Sequence, residues 1–156
     1  MAWRCQVEPY LKALSSKVLR CEAGEFKLKN VKRKGWKVEL EETVFFPEGG
    51  GQPGDTGTIR VNDKSVNVIY TFREGERAIH FCDEEVETGG LADVKIDWNR
   101  RFDHMQQYSG QHLISAIFER PEYAANTTSW NLGEEMSFIE LSRPVTDDEV
   151  NAVIKD

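Results

Sequence analysis

The sequence predicts a mixed α+β chain, with short strands over residues 1–95 and a helix-led segment over residues 96–156. Three observations carry this reading. Apolar residues alternate with polar ones at Trp36, Val38 and Leu40, at Val66, Val68, Tyr70 and Phe72, and at Val94, Ile96 and Trp98, the period of a half-buried strand. Past Trp98 the period lengthens to that of a helix. Thr146-Asp147-Asp148-Glu149 then forms a capping box that opens a last helix.

In chain order, Trp36 to Leu40 predicts a strand that Val44-Phe45-Phe46 continues. Val66 to Phe72, Ala78 to Cys82 and Val94 to Trp98 predict three more, separated by glycine-containing breaks at 49–57, 75 and 89–90. Strands this short and this closely spaced suggest a small barrel or sandwich. Asn99 to Glu119 contains no proline, and Phe102, Met105, Ser109, Leu113, Ala116 and Ile117 share one helical face before Pro121 ends the run. Thr127–Leu132 and Met136–Leu141 read as two strands joined at Gly133-Glu134. The last helix is expected to bury Val150, Val153 and Ile154. It reaches Asp156 with no Gly or Pro stop, which reads as a chain cut inside a larger domain.

Composition narrows the class. The chain has 156 residues, 39% hydrophobic and 30% charged, with 8 Phe, 4 Tyr and 4 Trp to fill a core. No run of about eighteen apolar residues would cross a membrane as a helix, and the first residues lack a secretory signal. Three cysteines, Cys5, Cys21 and Cys82, argue against a disulfide scaffold and suit a reducing cytoplasm. The net charge of −7 hides an asymmetry: residues 1–37 hold ten basic side chains against three acids. Six of the ten lie between Lys27 and Lys37. That run, with Lys32, Arg33 and Lys34 at its centre, reads either as a solvated loop before a strand or as a phosphate-contacting edge. Arg100 and Arg101 are the other candidate phosphate contacts.

Two stretches carry chemistry. In Phe45-Phe46-Pro47-Glu48-Gly49-Gly50-Gly51-Gln52-Pro53-Gly54-Asp55-Thr56-Gly57, three consecutive glycines are costly in backbone entropy. A hairpin turn is served by one or two, so the loop reads either as structural or as backbone brought close to another molecule. Gln52 adds an amide with donors and an acceptor, and Thr56 a hydroxyl. In the helix, Tyr108 and His112 stand one turn apart on one face. Such a spacing builds half a zinc site when both residues are ligands. Here His112 stands without a second histidine at that spacing, and a structural histidine is the competing reading.

Phe-Pro-Glu-Gly-Gly-Gly-Gln-Pro with Gly-Asp-Thr-Gly, followed about forty residues on by Asp97-Trp98-Asn99-Arg100-Arg101-Phe102-Asp103-His104-Met105-Gln106-Gln107 and Ser109-Gly110-Gln111-His112-Leu113, resembles the alanyl-tRNA editing (AlaX) family, relatives of the editing domain of alanyl-tRNA synthetase. Thr127-Thr128-Ser129-Trp130 and Ile139-Glu140-Leu141 resemble its eukaryotic-type members. The resemblance covers essentially all 156 residues. It implies a glycine-motif, translation-protein-like β-barrel followed by part of the editing domain shared by threonyl- and alanyl-tRNA synthetases. It also implies hydrolysis of the ester on alanine tRNA wrongly charged with serine or glycine. By the same resemblance Gly49, Gly50, Gly51 and Gln52 line the pocket that discriminates serine, and His112 is a zinc ligand.

The sequence departs from the family pattern twice. Tyr108 stands where the first helical histidine belongs, and the family's later Cys-x-x-x-His pair has no counterpart in these 156 residues. One expected ligand of four is present, so zinc is expected to be weakly held or absent. Two functional readings follow. One is an aminoacyl-tRNA hydrolase, with Gln52 and His112 as its catalytic candidates. The other is an inactive editing-fold module that binds tRNA or a protein partner.

Overall fold

The computed structural model describes residues 3–133 and 136–155. The chain is mixed α+β and divides into two compact units, Met1–Arg101 and Phe102–Asp156.

The first unit opens with a single helical turn, α1 (Arg4–Val7), followed by β1 (Ala13–Leu28), β2 (Val31–Leu40), β3 (Gly57–Val61), β4 (Lys64–Glu74), β5 (Arg77–Cys82) and β6 (Leu91–Ile96). All pairs are antiparallel, in the order β1-β2-β5-β4-β3-β6, and β6 pairs back onto β1 to close a barrel. Closure removes the exposed sheet edges that an open meander of this size would present. The interior is aliphatic: Val18, Val38, Ile59, Val68, Val94 and Ile96 meet there with little or no exposure. In β6 the alternation is exact, with Ala92, Val94 and Ile96 buried and Leu91, Asp93 and Lys95 exposed.

Two sequence expectations change here, and one strand appears that the pattern did not announce. The longest strand, β1, carries no strong apolar alternation, because only Ser16 and Val18 of its sixteen residues are fully buried. Val44 and Phe45 are wholly buried but lie in a loop rather than a strand. The basic run is not a loop before a strand. It is the end of the β1–β2 hairpin, turned at Lys29 and Asn30, whose φ values are +47° and +66°. Two consecutive left-handed residues are what a tight hairpin between right-twisted strands demands.

The second unit holds most of α2 (Trp98–Phe118), then β7 (Thr127–Asn131), β8 (Phe138–Leu141) and α3 (Asp147–Lys155). β7 and β8 pair antiparallel; Glu134 of the expected joint lies outside the described residues. The capping box forms as read: the Glu149 N–H reaches Thr146 Oγ1 at 3.2 Å, and the Thr146 N–H reaches Glu149 Oε2 at 2.8 Å. The core is small: Ile117, Phe118, Ala125 and Val153, with Tyr123, Leu141 and Val145 against it.

The expected apolar face of the long helix is buried only at its C-terminal end, at Ile117. Phe102 is 38% exposed and Leu113 63%, while Arg101, His104, Gln111, Ser115, Ile117 and Phe118 are buried. This unit's core gathers at the C-terminal end of α2, leaving the apolar stripe of its earlier turns outside it. For the same reason α3 buries Val153 alone, and Val150 and Ile154 face outward. Among the described residues no helix is long and apolar enough to cross a membrane.

Candidate functional site

The glycine loop joins β2 to β3. Gly49 and Gln52 exchange backbone hydrogen bonds, N to O at 3.2 and 3.1 Å, so the segment is a two-residue turn. Gly50 (φ +59°) and Gly51 (φ +84°) occupy its central positions. Only glycine adopts this geometry at no steric cost. Two of the three glycines are thus required by the turn, which also satisfies the N–H groups of Gly49 and Gln52 internally. Gly50 and Gly51 remain exposed at the tip, and the Gln52 side chain is folded in, at 9% exposure.

Below the tip the loop is clamped. The Asp55 carboxylate, 1% exposed, accepts hydrogen bonds from the Phe46 N–H (2.8 Å) and from Arg101 Nε (2.9 Å), and a further short one from Arg101 Nη2. Arg101 also donates to the Val44 carbonyl at 2.8 Å. Arg100 Nη1 donates to the Gly54 carbonyl at 2.6 Å, and the Asp97 N–H to the Thr56 carbonyl at 2.8 Å. A Cβ on Gly54 would lie 1.8 Å from the Thr71 carbonyl oxygen, so no larger residue fits there. Burial pushes the Asp55 carboxyl above its ordinary range, against the hydrogen bonds and charge of Arg101 that pull it down.

This clamp corrects the assignment of Arg101 to a phosphate surface. At 2% exposure, with its guanidinium directed at Asp55, it has no face for a phosphate. Arg100 is half-buried and likewise engaged with the loop. Thr56 lines a depression with Thr58, Asn67, Lys95 and Asp97, and none of residues 49–52 lines it. Asp55 is the residue that sequence reasoning passed over. Its one signal in the sequence was an acid close behind the apolar run Val44-Phe45-Phe46, where a buried carboxylate needs a cationic partner.

A second group lies in the other unit. Tyr108 and His112 meet edge to face with ring centroids 4.7 Å apart, and Trp130 of β7 stands 5.4 Å from Tyr108 and 6.1 Å from His112. His112 is exposed, Tyr108 and Trp130 half-buried. Among the described residues no three His, Cys, Asp or Glu side chains gather as metal ligands. The donor set at this position is one imidazole and one phenol. Residues present here do not by themselves fit a zinc ion, which takes four N, S or O donors.

The third group is the hairpin end, where Lys27, Lys32, Arg33 and Lys34 are all exposed. All three cysteines are free; burial pushes the Cys5 thiol up to about 11, so it is no nucleophile at neutral pH.

Residues 7–100 match the family model described as tRNA synthetases class II (A). Alanyl-tRNA editing protein Aarsd1 of Danio rerio is 46% identical over 145 aligned positions, covering 90% of this chain and 34% of that protein. Alanyl-tRNA editing protein Aarsd1-B of Xenopus laevis is 46% identical over 160 positions, covering 99% of this chain and 38% of that protein. The chain belongs to the alanyl-tRNA editing family. A more distant member, alanyl-tRNA editing protein AlaX-L of Pyrococcus horikoshii, is 31% identical over 94% of this chain and 37% of its own length. The chain thus spans little more than a third of the editing proteins it matches.

Proposed function

We propose that this chain serves the trans-editing of alanine tRNA, contributing the glycine-loop portion of a hydrolase that clears the ester of Ser-tRNA(Ala). The carrying observation is the turn at Gly49–Gln52, which leaves two glycine N–H groups exposed at its tip in a member of the editing family. Such N–H groups suit a carbonyl or a developing oxyanion at an ester. In this reading the strands through residue 95 are a glycine-motif, translation-protein-like barrel. Residues 96–156 are the first part of an editing domain of the threonyl- and alanyl-tRNA synthetase type, working in the cytoplasm.

The chemistry falls to few groups. Gly50 and Gly51 offer donors, Gln52 adds an amide close to them, and Thr56 adds a hydroxyl from its own depression. His112 is the imidazole on the helix. Zinc, which the family resemblance implies, would polarise the ester when bound. One imidazole is what this chain offers it among the described residues. On its own the chain is therefore expected to hydrolyse Ser-tRNA(Ala) barely above the spontaneous rate.

A second reading is favoured by the aromatic contact at Tyr108, His112 and Trp130, which fills with rings the position where the resemblance implies a ligand pair. It makes the chain a non-hydrolytic module that binds tRNA or a protein partner. A deacylation time course on charged tRNA separates the two, comparing wild type with Gln52→Ala and His112→Ala. Robust hydrolysis lost in both variants would overturn the expectation of an impaired chain. A rate equal to the buffer control in all three supports the module.

A further inference from the structure

Residues at the end of the β1–β2 hairpin pair only with each other. β1 meets β6 over Ala13–Lys17 and β2 meets β5 over Trp36–Val38, so the ladder from Ala23 to Gly35 has no further neighbour strand. Register then sorts the basic run into two faces, since directly opposed residues share a face and alternate along each strand. Lys27 faces Lys32 and Glu25 faces Lys34 on one side; Phe26 faces Arg33 and Leu28 faces Val31 on the other.

The Phe26 side is anchored. Its ring stacks on Phe72 at 4.4 Å and on Tyr70 at 5.5 Å, and it meets Phe81 at 5.6 Å. On the same side, a Cβ on Gly35 would sit 2.5 Å from the Cys82 carbonyl oxygen, so glycine lets the ribbon lie close against β5. The opposite side carries Lys27, Lys32 and Lys34 into solvent. Among the described residues none of these three, nor Arg33, forms an ion pair. Residues 38–156 hold twenty-four acids against ten basic side chains, so this ribbon end is a local cationic surface on an acidic protein.

We propose that the β1–β2 hairpin is an RNA-binding arm whose Lys27, Lys32 and Lys34 face lies on the phosphate backbone of a helical stem. This inference deepens the tRNA reading and rests on it for the choice of RNA. Lysine is a point charge suited to phosphate, and reading bases in single strands relies on free aromatic rings. On this arm Phe26 is held against the barrel, and Trp36, on the lysine face, packs against the barrel core. A-form stems have a deep, narrow major groove closed to side chains. Contact is therefore with backbone, and binding is indifferent to sequence.

The test is a salt titration of unacylated alanine tRNA and of a short RNA hairpin, so that its outcome is independent of ester hydrolysis. Three phosphate contacts contribute a slope of about −2.7 in log K against log salt, or about 40-fold in affinity between 50 and 200 mM. Lys27→Ala, Lys32→Ala and Lys34→Ala combined should flatten the slope by two to three. Arg33→Ala, on the other face, should change it by less than one. The lysines are exposed and an unchanged far-UV spectrum checks the fold; the triple Gln variant repeats the comparison. The proposal is overturned if wild type binds neither RNA at 50 mM salt, or if the triple variants keep the full slope. Stems of different sequence differing tenfold in affinity would also overturn it, as would a triple variant that loses only phosphatidylserine vesicles while keeping RNA. The salt slope is read on unacylated RNA, so the arm stands or falls by it whatever the deacylation time course shows.

Discussion

Replacing Arg101 by Met in the first unit removes the cation from a carboxylate that is 1% exposed. Four hydrogen bonds go with it, two to Asp55 and one each to the Val44 and Pro9 carbonyls. Breaking a buried pair by deleting one partner costs about 3–5 kcal/mol, because the remaining charge stays buried and uncompensated. A domain is held by roughly 5–15 kcal/mol, so this is at least about a fifth of the total. The penalty also carries a pH signature. Burial already holds the Asp55 carboxyl above its ordinary range, and Arg101 is the largest influence pulling it down. Without Arg101 the folded-state value climbs further. A carboxyl raised in the folded state stabilises most below its unfolded value and loses that contribution as pH rises. The difference between wild type and Arg101→Met should therefore be smaller at pH 4.5 than at pH 7.5. Urea titrations followed by tryptophan fluorescence at both pH values measure it. Pairing Arg101→Met with Asp55→Leu should recover much of the loss, since an apolar pair of similar volume carries no stranded charge. A loss under about 1 kcal/mol at pH 7.5, or an equal loss at both pH values, would refute the clamp.

Three more predictions concern other parts of the chain. Gly54→Ala should unfold the first unit or cost well over ~2 kcal/mol, because its Cβ would overlap the Thr71 carbonyl, whereas Gly49→Ala meets only the Arg73 side chain at 3.5 Å and should melt within a few degrees of wild type. His80 is wholly buried, donating from Nδ1 to the Val38 carbonyl (2.9 Å) with Nε2 against the Thr43 hydroxyl (2.7 Å), and burial lowers its pKa to about 4. A base depressed in the folded state loses stability as pH falls from about 6.5 towards 4, here by about 3 kcal/mol, and His80→Gln should flatten that limb of a melting-temperature profile. Elemental analysis after dialysis should find clearly less than one zinc per chain, and Tyr108→His should raise it only weakly.

Much of this was legible in residue order, and the failures have physical causes. Strands β4, β5 and β6 and the α3 capping box follow from local patterns, because each is decided by its own residues. β1 was not legible. Its end, from Ala23 to Leu28, lies in a two-stranded ribbon with solvent on one face, where burial imposes little alternation. The apolar stripe of α2 misled because a hydrophobic pattern shows what a helix is able to bury, while the contacts of its own unit decide what it does bury. At the candidate site, Gly49–Gln52 and His112 were visible as motifs. The pairing of Asp55 with Arg101 was not, since nothing in sequence links residues forty-six apart until the fold brings them together.

That pairing changes how the two motifs of the chain are understood. The glycine stretch and the Asp97–Arg101 stretch look like two halves of a catalytic signature. In the fold, Gly54, Asp55 and Thr56 are bound to Arg100, Arg101 and Asp97 in turn, by a carbonyl, a carboxylate and a second carbonyl. Each member is needed for the clamp whether or not any ester is cleaved: glycine because Thr71 leaves no room, aspartate because the arginine is buried, arginine because the carboxylate is. The residues that the clamp leaves over are few, Gly50 and Gly51 at the tip and Gln52 beside them. A chain that had lost hydrolysis would still keep these clamp residues, since losing one would destabilise the barrel. Recognition of the family therefore rests largely on residues that hold the loop, and activity must be tested on those the loop presents.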